Sequence, residues 1–271
     1  MGPILLISPW NFPFWMPIRT LIPQIALGNT VLFKPAPITS LSAENLTRAM
    51  ENSGLKDVLK IVYFDHTDTE YVISQKNIKG VAFTGSTMGG KTIAEIAGRH
   101  VKKSLLELGG SDPFIVLDDA NVEKAAEIGC LSRIINNGQA CINAKRFIVH
   151  EKVYDQFKNL LIKNLASLKV GDPCEESNNI GPLARPDLHN NLRNQVLEAV
   201  ENGASVAFGD ISQLESVPNV ENGLYFHPMV LESITAENPV YQQELFGPVC
   251  SLYKVANHAE AIALGKILVK Y

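Results

Sequence analysis

Cys141 follows the polar, turn-forming run Asn136-Asn137-Gly138-Gln139, so a loop rather than a packed helix offers its thiol. Glu107 closes an apolar stretch just ahead of Gly109-Gly110, where a backbone without side chains lets a ligand come close. Asn11 sits in Pro9-Trp10-Asn11-Phe12-Pro13, directly after another apolar run. A thiol, a carboxylate and an amide are a nucleophile, a base and an oxyanion donor, the set that covalent catalysis on a carbonyl requires. Each also has a plainer reading. Glu107 fits an ordinary carboxylate held in an ion pair, and Asn11 fits the cap of a helix beginning near Pro13. Arg19, one helical turn beyond Trp15 and on the same face, fits either a clamp for a substrate carboxylate or a surface arginine paired with an acid.

The elements that must position these residues can be read from apolar periodicity. Short apolar runs at 3–8, 29–34, 59–64, 80–84 and 104–108 read as strands, with amphipathic helical sequence between them. Continuous apolar strands alternating with helices imply a parallel sheet covered on both faces, a Rossmann-like five-stranded layer. Asn11, Lys34, Ser86 and Glu107 fall at or just after strand ends, which gathers them on one rim. Past Gly110 a second α/β pattern begins, with strands at 113–117 and 146–150 and helices at 120–135, 153–168 and 186–202. Short strands follow at 205–208 and 229–234. The expected division is therefore 1–109 and 110–271, with Gly109-Gly110 as hinge and the catalytic cleft between the two.

The 271 residues are 46% hydrophobic and carry a formal charge of -4 without a basic cluster. A large core is affordable and a nucleic-acid groove or anionic-membrane surface is not indicated. Four cysteines, at 130, 141, 174 and 250, lack metal-ligand and disulfide spacing, and six histidines are scattered. No metal and a reducing, cytoplasmic setting are the expectations. Cys130 and Cys250 read as inert apolar residues. The apolar start is too short for a secretory h-region and no stretch has the length of a membrane span.

A different function is suggested by Gly85-Ser86-Thr87-Met88-Gly89-Gly90-Lys91-Thr92, which satisfies the Walker A pattern, with 114–119 resembling a Walker B strand. That P-loop reading leaves Cys141, Glu107 and the Pro-Trp-Asn-Phe-Pro run without a purpose.

The order of Pro9-Trp10-Asn11-Phe12-Pro13, Lys34-Pro35-Ala36, Phe83-Thr84-Gly85-Ser86-Thr87, Glu107-Leu108-Gly109-Gly110, Gly138-Gln139-Ala140-Cys141 and Glu244-Leu245-Phe246-Gly247-Pro248 resembles the aldehyde dehydrogenase superfamily. The resemblance implies that Cys141 attacks an aldehyde, that Asn11 and the Cys141 main-chain N–H hold the oxyanion, and that Glu107 activates water to release the acid. It implies cofactor contacts from Trp10, Lys34, Pro37, Gly85, Ser86, Leu108, Glu244 and Phe246. Relatives that prefer NAD often carry a glutamate at the place of Pro37. Proline neither accepts a ribose hydroxyl bond nor repels a 2′-phosphate, so NAD or NADP is expected, with NADP tolerated.

Within the superfamily, Glu107 to Val116 and Ile135 to Val149 look similar to microbial succinate-semialdehyde dehydrogenases. Arg19, with Trp15, matches a substrate-carboxylate contact. Ile135 stands where some relatives place a second such arginine, with Arg133 close by. Succinate semialdehyde is the expected substrate; lactaldehyde and glyceraldehyde stay open. The resemblance further implies homo-oligomers in the family, and segments before the Pro-Trp-Asn-Phe-Pro run and after the Phe-Gly-Pro run that this sequence lacks. A truncated, catalytically inactive remnant is the alternative to a working enzyme.

Overall fold

A computed structural model describes residues 2–214 and 223–267. The chain divides into two compact units, the first ending at Gly109 and the second beginning at Gly110.

In the first unit, strand β1 (Ile4–Ile7) is an unbroken aliphatic run at the middle of a five-stranded sheet. Around it lie β2 (Val31–Lys34), β3 (Leu59–Ile61), β4 (Gly80–Thr84) and β5 (Lys103–Glu107), in the order β3-β2-β1-β4-β5 and all parallel. Successive strand side chains point to opposite faces, so β1 must be covered on both. Leu6 packs with Leu21 of α1 (Trp15–Ala26) and Ala43 and Leu46 of α2 (Ser40–Asn52). Leu5 packs with Ile73 of α3 (Thr69–Ser74) and Ile93 and Ile96 of α4 (Thr87–Arg99) on the other face.

Strand order reverses direction between β1 and β4, the position at which open α/β sheets leave a crevice at their carboxyl ends. Register makes those ends level. Ile7 pairs with both Lys34 and Phe83, and Thr84 pairs with Glu107.

The second unit holds β6 (Asp112–Val116), β7 (Ala144–His150), β8 (Ser205–Phe208), β9 (Met229–Glu232) and β10 (Val249–Val255) in the order β6-β7-β10-β9-β8. Four strands are parallel and β8 runs antiparallel to β9. Phe147 of β7 faces α5 (Val122–Ile134) and α6 (Glu151–Ala166), while Ile148 faces the layer containing α7 (Pro186–Glu201) and α8 (His258–Gly265).

The α/β class and the five-stranded parallel layer agree with the sequence expectation. Two elements escaped it: β10, which occupies the middle of the second sheet, and α8. The run Val-Cys-Ser-Leu-Tyr-Lys-Val mixes polar and apolar positions without a two-residue alternation, so its strand character comes from its neighbours β7 and β9. Asn11 is also not the cap of the following helix. That helix starts at Trp15, with Phe14 in the capping position and making no side-chain cap bond.

Truncating Leu6 to Ala should lower unfolding free energy by about 2–5 kcal/mol, because both transfer and cavity terms apply at a fully enclosed site. Leu105→Ala on edge strand β5, where the side chain is 59% exposed, should stay within about 0.5 kcal/mol. Urea unfolding midpoints of the two variants measure the contrast.

Candidate active site

On the rim of the first sheet, Trp10 and Asn11 occupy the turn after β1, and Ser8 N–H extends the ladder by donating to the Lys34 carbonyl at 3.2 Å. Lys34 ends β2 with its stem half-buried and its ammonium 5.6 Å from the Phe64 ring centroid. Burial lowers its pKa and Asp65 opposes that shift. Pro37 is exposed and opens the short 3-10 turn Pro37–Thr39 ahead of α2.

Ser86 caps α4, its hydroxyl oxygen accepting from Gly89 N–H at 3.2 Å. The approach of α4 to the sheet depends on its missing side chains. A Cβ on Gly85 or Gly89 would lie 2.7 or 2.8 Å from the Phe83 ring, and one on Gly90 would lie 2.3 Å from Leu108. The result is a helix N-terminus brought close to two level strand ends, a place suited to an anion. The Walker reading fails on the same geometry. Only Gly85 and Ser86 separate β4 from α4, and Lys91 lies inside the helix, so no eight-residue loop exists to wrap a phosphate.

Glu107 and Arg19 meet. The Arg19 guanidinium donates to Glu107 Oε1 at 3.0 Å, with the two side chains 53% and 46% exposed. They line a small cleft of about 120 Å³ with Met16, Thr20, Thr84 and Leu105. Thus the plain reading of each residue as half of an ion pair is realised, and the partner of each is the other candidate. Trp15, 64% exposed, stands one helical turn before Arg19.

In the second unit, the chain leaves α5 through three consecutive left-handed residues: Asn136 at φ 53°, Asn137 at φ 56° and Gly138 at φ 78°. Asparagine tolerates that region better than other side-chain-bearing residues, and glycine is indifferent to it. Gly138 has no alternative, because a Cβ there would sit 2.2 Å from the Gly247 carbonyl carbon. Such a path persists only when its surroundings hold it. Asn137 donates to the Pro182 carbonyl at 3.1 Å and accepts from Gly181 N–H at 2.9 Å. Buried Gln139 accepts from Ala184 N–H at 3.0 Å, and Asn143 donates to the Ile135 carbonyl at 3.0 Å.

Arg133 completes the brace. It is fully enclosed and donates to the carbonyls of Gly138 at 2.7 Å, Ala144 at 3.2 Å and Leu245 at 3.3 Å. Burial brings its pKa down to about 10. Arg133, close in sequence to the position of Ile135, thus directs both terminal nitrogens of its guanidinium to the main chain.

Cys141, partly exposed, emerges from this braced loop. Burial pushes the thiols of Cys130 and Cys250 up to about 11 and about 12, which leaves both inert at neutral pH. Beneath Cys141, the Lys145 ammonium donates to its carbonyl oxygen at 2.6 Å and pairs with Glu244 Oε1 at 3.1 Å. Burial raises the Glu244 carboxyl and lowers the Lys145 ammonium, each partly offset by the other. Leu245 is buried and Phe246 partly so. The sequence reading passed over Lys145. Its signal was a Lys-Arg pair opening an otherwise apolar strand immediately after a candidate nucleophile. Among the described residues no cluster of side chains could hold a metal ion, and no helix is long and apolar enough to cross a membrane.

Comparison with known proteins gives a consistent result. Residues 1–265 match the aldehyde dehydrogenase family model. An aldehyde dehydrogenase of Paenarthrobacter nicotinovorans is 39% identical over 265 residues, covering 97% of this chain and 57% of that protein. A succinate-semialdehyde dehydrogenase [NADP(+)] of Deinococcus radiodurans is 38% identical, covering 97% and 54%. Among solved structures, succinic semialdehyde dehydrogenase from Streptococcus pyogenes in complex with NADP+ superposes with a TM-score of 0.92 at 36% identity, covering 97% of this chain and 57% of that one. The chain therefore spans a little over half the length of the relatives it matches.

Gly138→Ala should cost about 2–5 kcal/mol, combining the left-handed backbone with overpacking against Gly247. Gly203→Ala provides the control, at φ 96° with nothing within 4 Å of the added carbon. It should lose only about 1–2 kcal/mol. Chemical denaturation of both variants compares them directly.

Proposed function

The chain belongs to the aldehyde dehydrogenase family, and from that premise we propose that it oxidises a small carboxylated aldehyde, succinate semialdehyde in the first instance, with NAD(P)+. The observation that carries this reading is a thiol on an over-determined loop, Cys141, in a chain whose other sheet ends in the Arg19–Glu107 pair.

Cys141 is the nucleophile. Its sulfur bonds the aldehyde carbon, and the developing oxyanion is held by Asn11 and the Cys141 main-chain N–H. A bound nicotinamide cofactor would supply the hydride acceptor for the oxidation on Cys141. Lys34 and Glu244 would bind its riboses, and the N-terminus of α4 with Gly85 and Ser86 would receive its diphosphate. The residues fit such a group: a half-buried ammonium at the end of β2 and a helix start closed in by Gly85, Gly89 and Gly90 are what an anionic nucleotide needs. Trp10, Leu108 and Phe246 line its apolar portion, and Pro37 leaves room for a 2′-phosphate. Glu107 then takes a proton from water, whose oxygen releases the acid from Cys141.

The ion pair adds a control on this sequence. An exposed pair contributes on the order of 0–1 kcal/mol, so a substrate carboxylate arriving at Arg19 can displace Glu107 and leave it available for water. Arg19 thus serves both to recognise an acidic aldehyde and to hold the base until one arrives. The names of the similar proteins from Deinococcus radiodurans and Streptococcus pyogenes, both succinate-semialdehyde oxidising and NADP+-linked, support the same substrate class and cofactor.

The deciding experiment is NAD(P)H formation by the purified chain with succinate semialdehyde. Cys141→Ala should abolish turnover while nucleotide still binds; turnover in that variant would remove the nucleophile. A folded wild-type chain that binds nucleotide without turnover would favour the inactive remnant. Arg19→Leu should reduce kcat/KM for succinate semialdehyde by about 10–100-fold, the value of a charge-assisted bond, and much less for an uncharged aldehyde of equal length. Equal losses on both would sink the clamp. Pro37→Glu should weaken NADP+ relative to NAD+ by adding a like charge beside the 2′-phosphate, measured as the ratio of the two dissociation constants.

A further inference from the structure

Lysine is among the side chains least often enclosed, because an ammonium taken from water needs acceptors in return. Lys145 is nonetheless 2% exposed at the side chain, at the second position of β7. Its ammonium donates to the Cys141 carbonyl at 2.6 Å and the Asn143 carbonyl at 3.5 Å, and forms an ion pair with Glu244 Oε1 at 3.1 Å. Among the other charges felt there, Asp112 favours the ammonium and Arg133 opposes it. A position needed only to fill the sheet would take an apolar residue, as Phe147, Ile148 and Val149 do further along the strand. An apolar residue could not join a carboxylate from one loop to the main chain of another.

We propose that Lys145 is a positioning residue that ties the Glu244 carboxylate to the main chain of Cys141, so that a ribose hydroxyl engaging Glu244 changes how the thiol is presented. This rests on the reading of Cys141 as nucleophile and Glu244 as ribose contact. A hydroxyl bonded to Glu244 competes with the ammonium for the carboxylate. The ammonium then gives more of its hydrogen bonding to the Cys141 carbonyl, at the base of a loop whose path is otherwise fixed by Arg133, Asn137 and Gln139. The braced loop has little freedom to absorb the change elsewhere, so it is expressed at Cys141.

The test is iodoacetamide alkylation of the full chain at fixed pH, read peptide by peptide, with exposed Cys174 as internal reference. In wild type, saturating NADP+ should change the Cys141-to-Cys174 rate ratio by about fivefold or more. In Lys145→Met, NADP+ should still bind by equilibrium dialysis while the ratio changes by less than about twofold. Lys145→Arg, which keeps the charge, should restore the response; a merely structural lysine predicts no such link between NADP+ and one thiol. A full response in Lys145→Met overturns the proposal. If that variant does not fold, loss of the response in folded Lys145→Arg overturns it instead. Wild type that binds NADP+ without any change in ratio sinks the tether and leaves the reading of the site standing, whereas wild type that binds neither NADP+ nor NAD+ removes both.

Discussion

The candidate nucleophile depends on one enclosed guanidinium. Arg133 reaches from the last turn of α5 to the carbonyls of Gly138, Ala144 and Leu245, so a single planar group binds the loop before Cys141, the strand after it and the segment carrying Glu244 and Phe246. Taking a guanidinium out of water is costly, and the three carbonyls that accept from its terminal nitrogens offset that cost. In return its donors point in fixed directions, which is why a chain passing through three left-handed residues in succession has one conformation rather than several. Everything proposed for Cys141 presupposes that this loop does not wander.

The first unit reaches the same end by a different physical route. Here no buried charge is needed, because parallel pairing in level register brings Ile7, Lys34, Thr84 and Glu107 to one edge, and alternation of Leu5 and Leu6 secures the sheet from both faces. Small residues then let α4 approach until Phe83 and Leu108 fill the space a Cβ would take. The Arg19 and Glu107 side chains on this rim stay partly in water. Arg19 and Glu107 can therefore trade partners at small cost, whereas Arg133 and Lys145 cannot. A mobile pair suits recognition and proton transfer; a fixed pair suits alignment.

Several residues changed meaning in three dimensions. Arg19 and Glu107 each admitted a functional and an ion-pair reading, and the pair they form with each other makes the two readings compatible. Arg133 lies near Ile135 in sequence, but its side chain is enclosed and its terminal nitrogens meet main-chain oxygens. The Walker-like run matched in letters and failed in shape, since α4 begins at Thr87, before Gly89 and Gly90, which would have had to lie in a loop.

By itself the sequence determined the class of fold, the strands of the first sheet and the family, and it supplied the candidate side chains for the chemistry. Those depend on local periodicity, on turn chemistry and on residue types in order, all of which are written along one dimension. Tertiary structure alone decided β10, whose place between β7 and β9 makes a strand of an ambiguous run, and the burial of Arg133 and Lys145. It also decided the meeting of Arg19 with Glu107 across 88 residues and of Lys145 with Glu244. A charge announces that it needs a partner, but which partner it finds depends on segments brought together only when the sheets form.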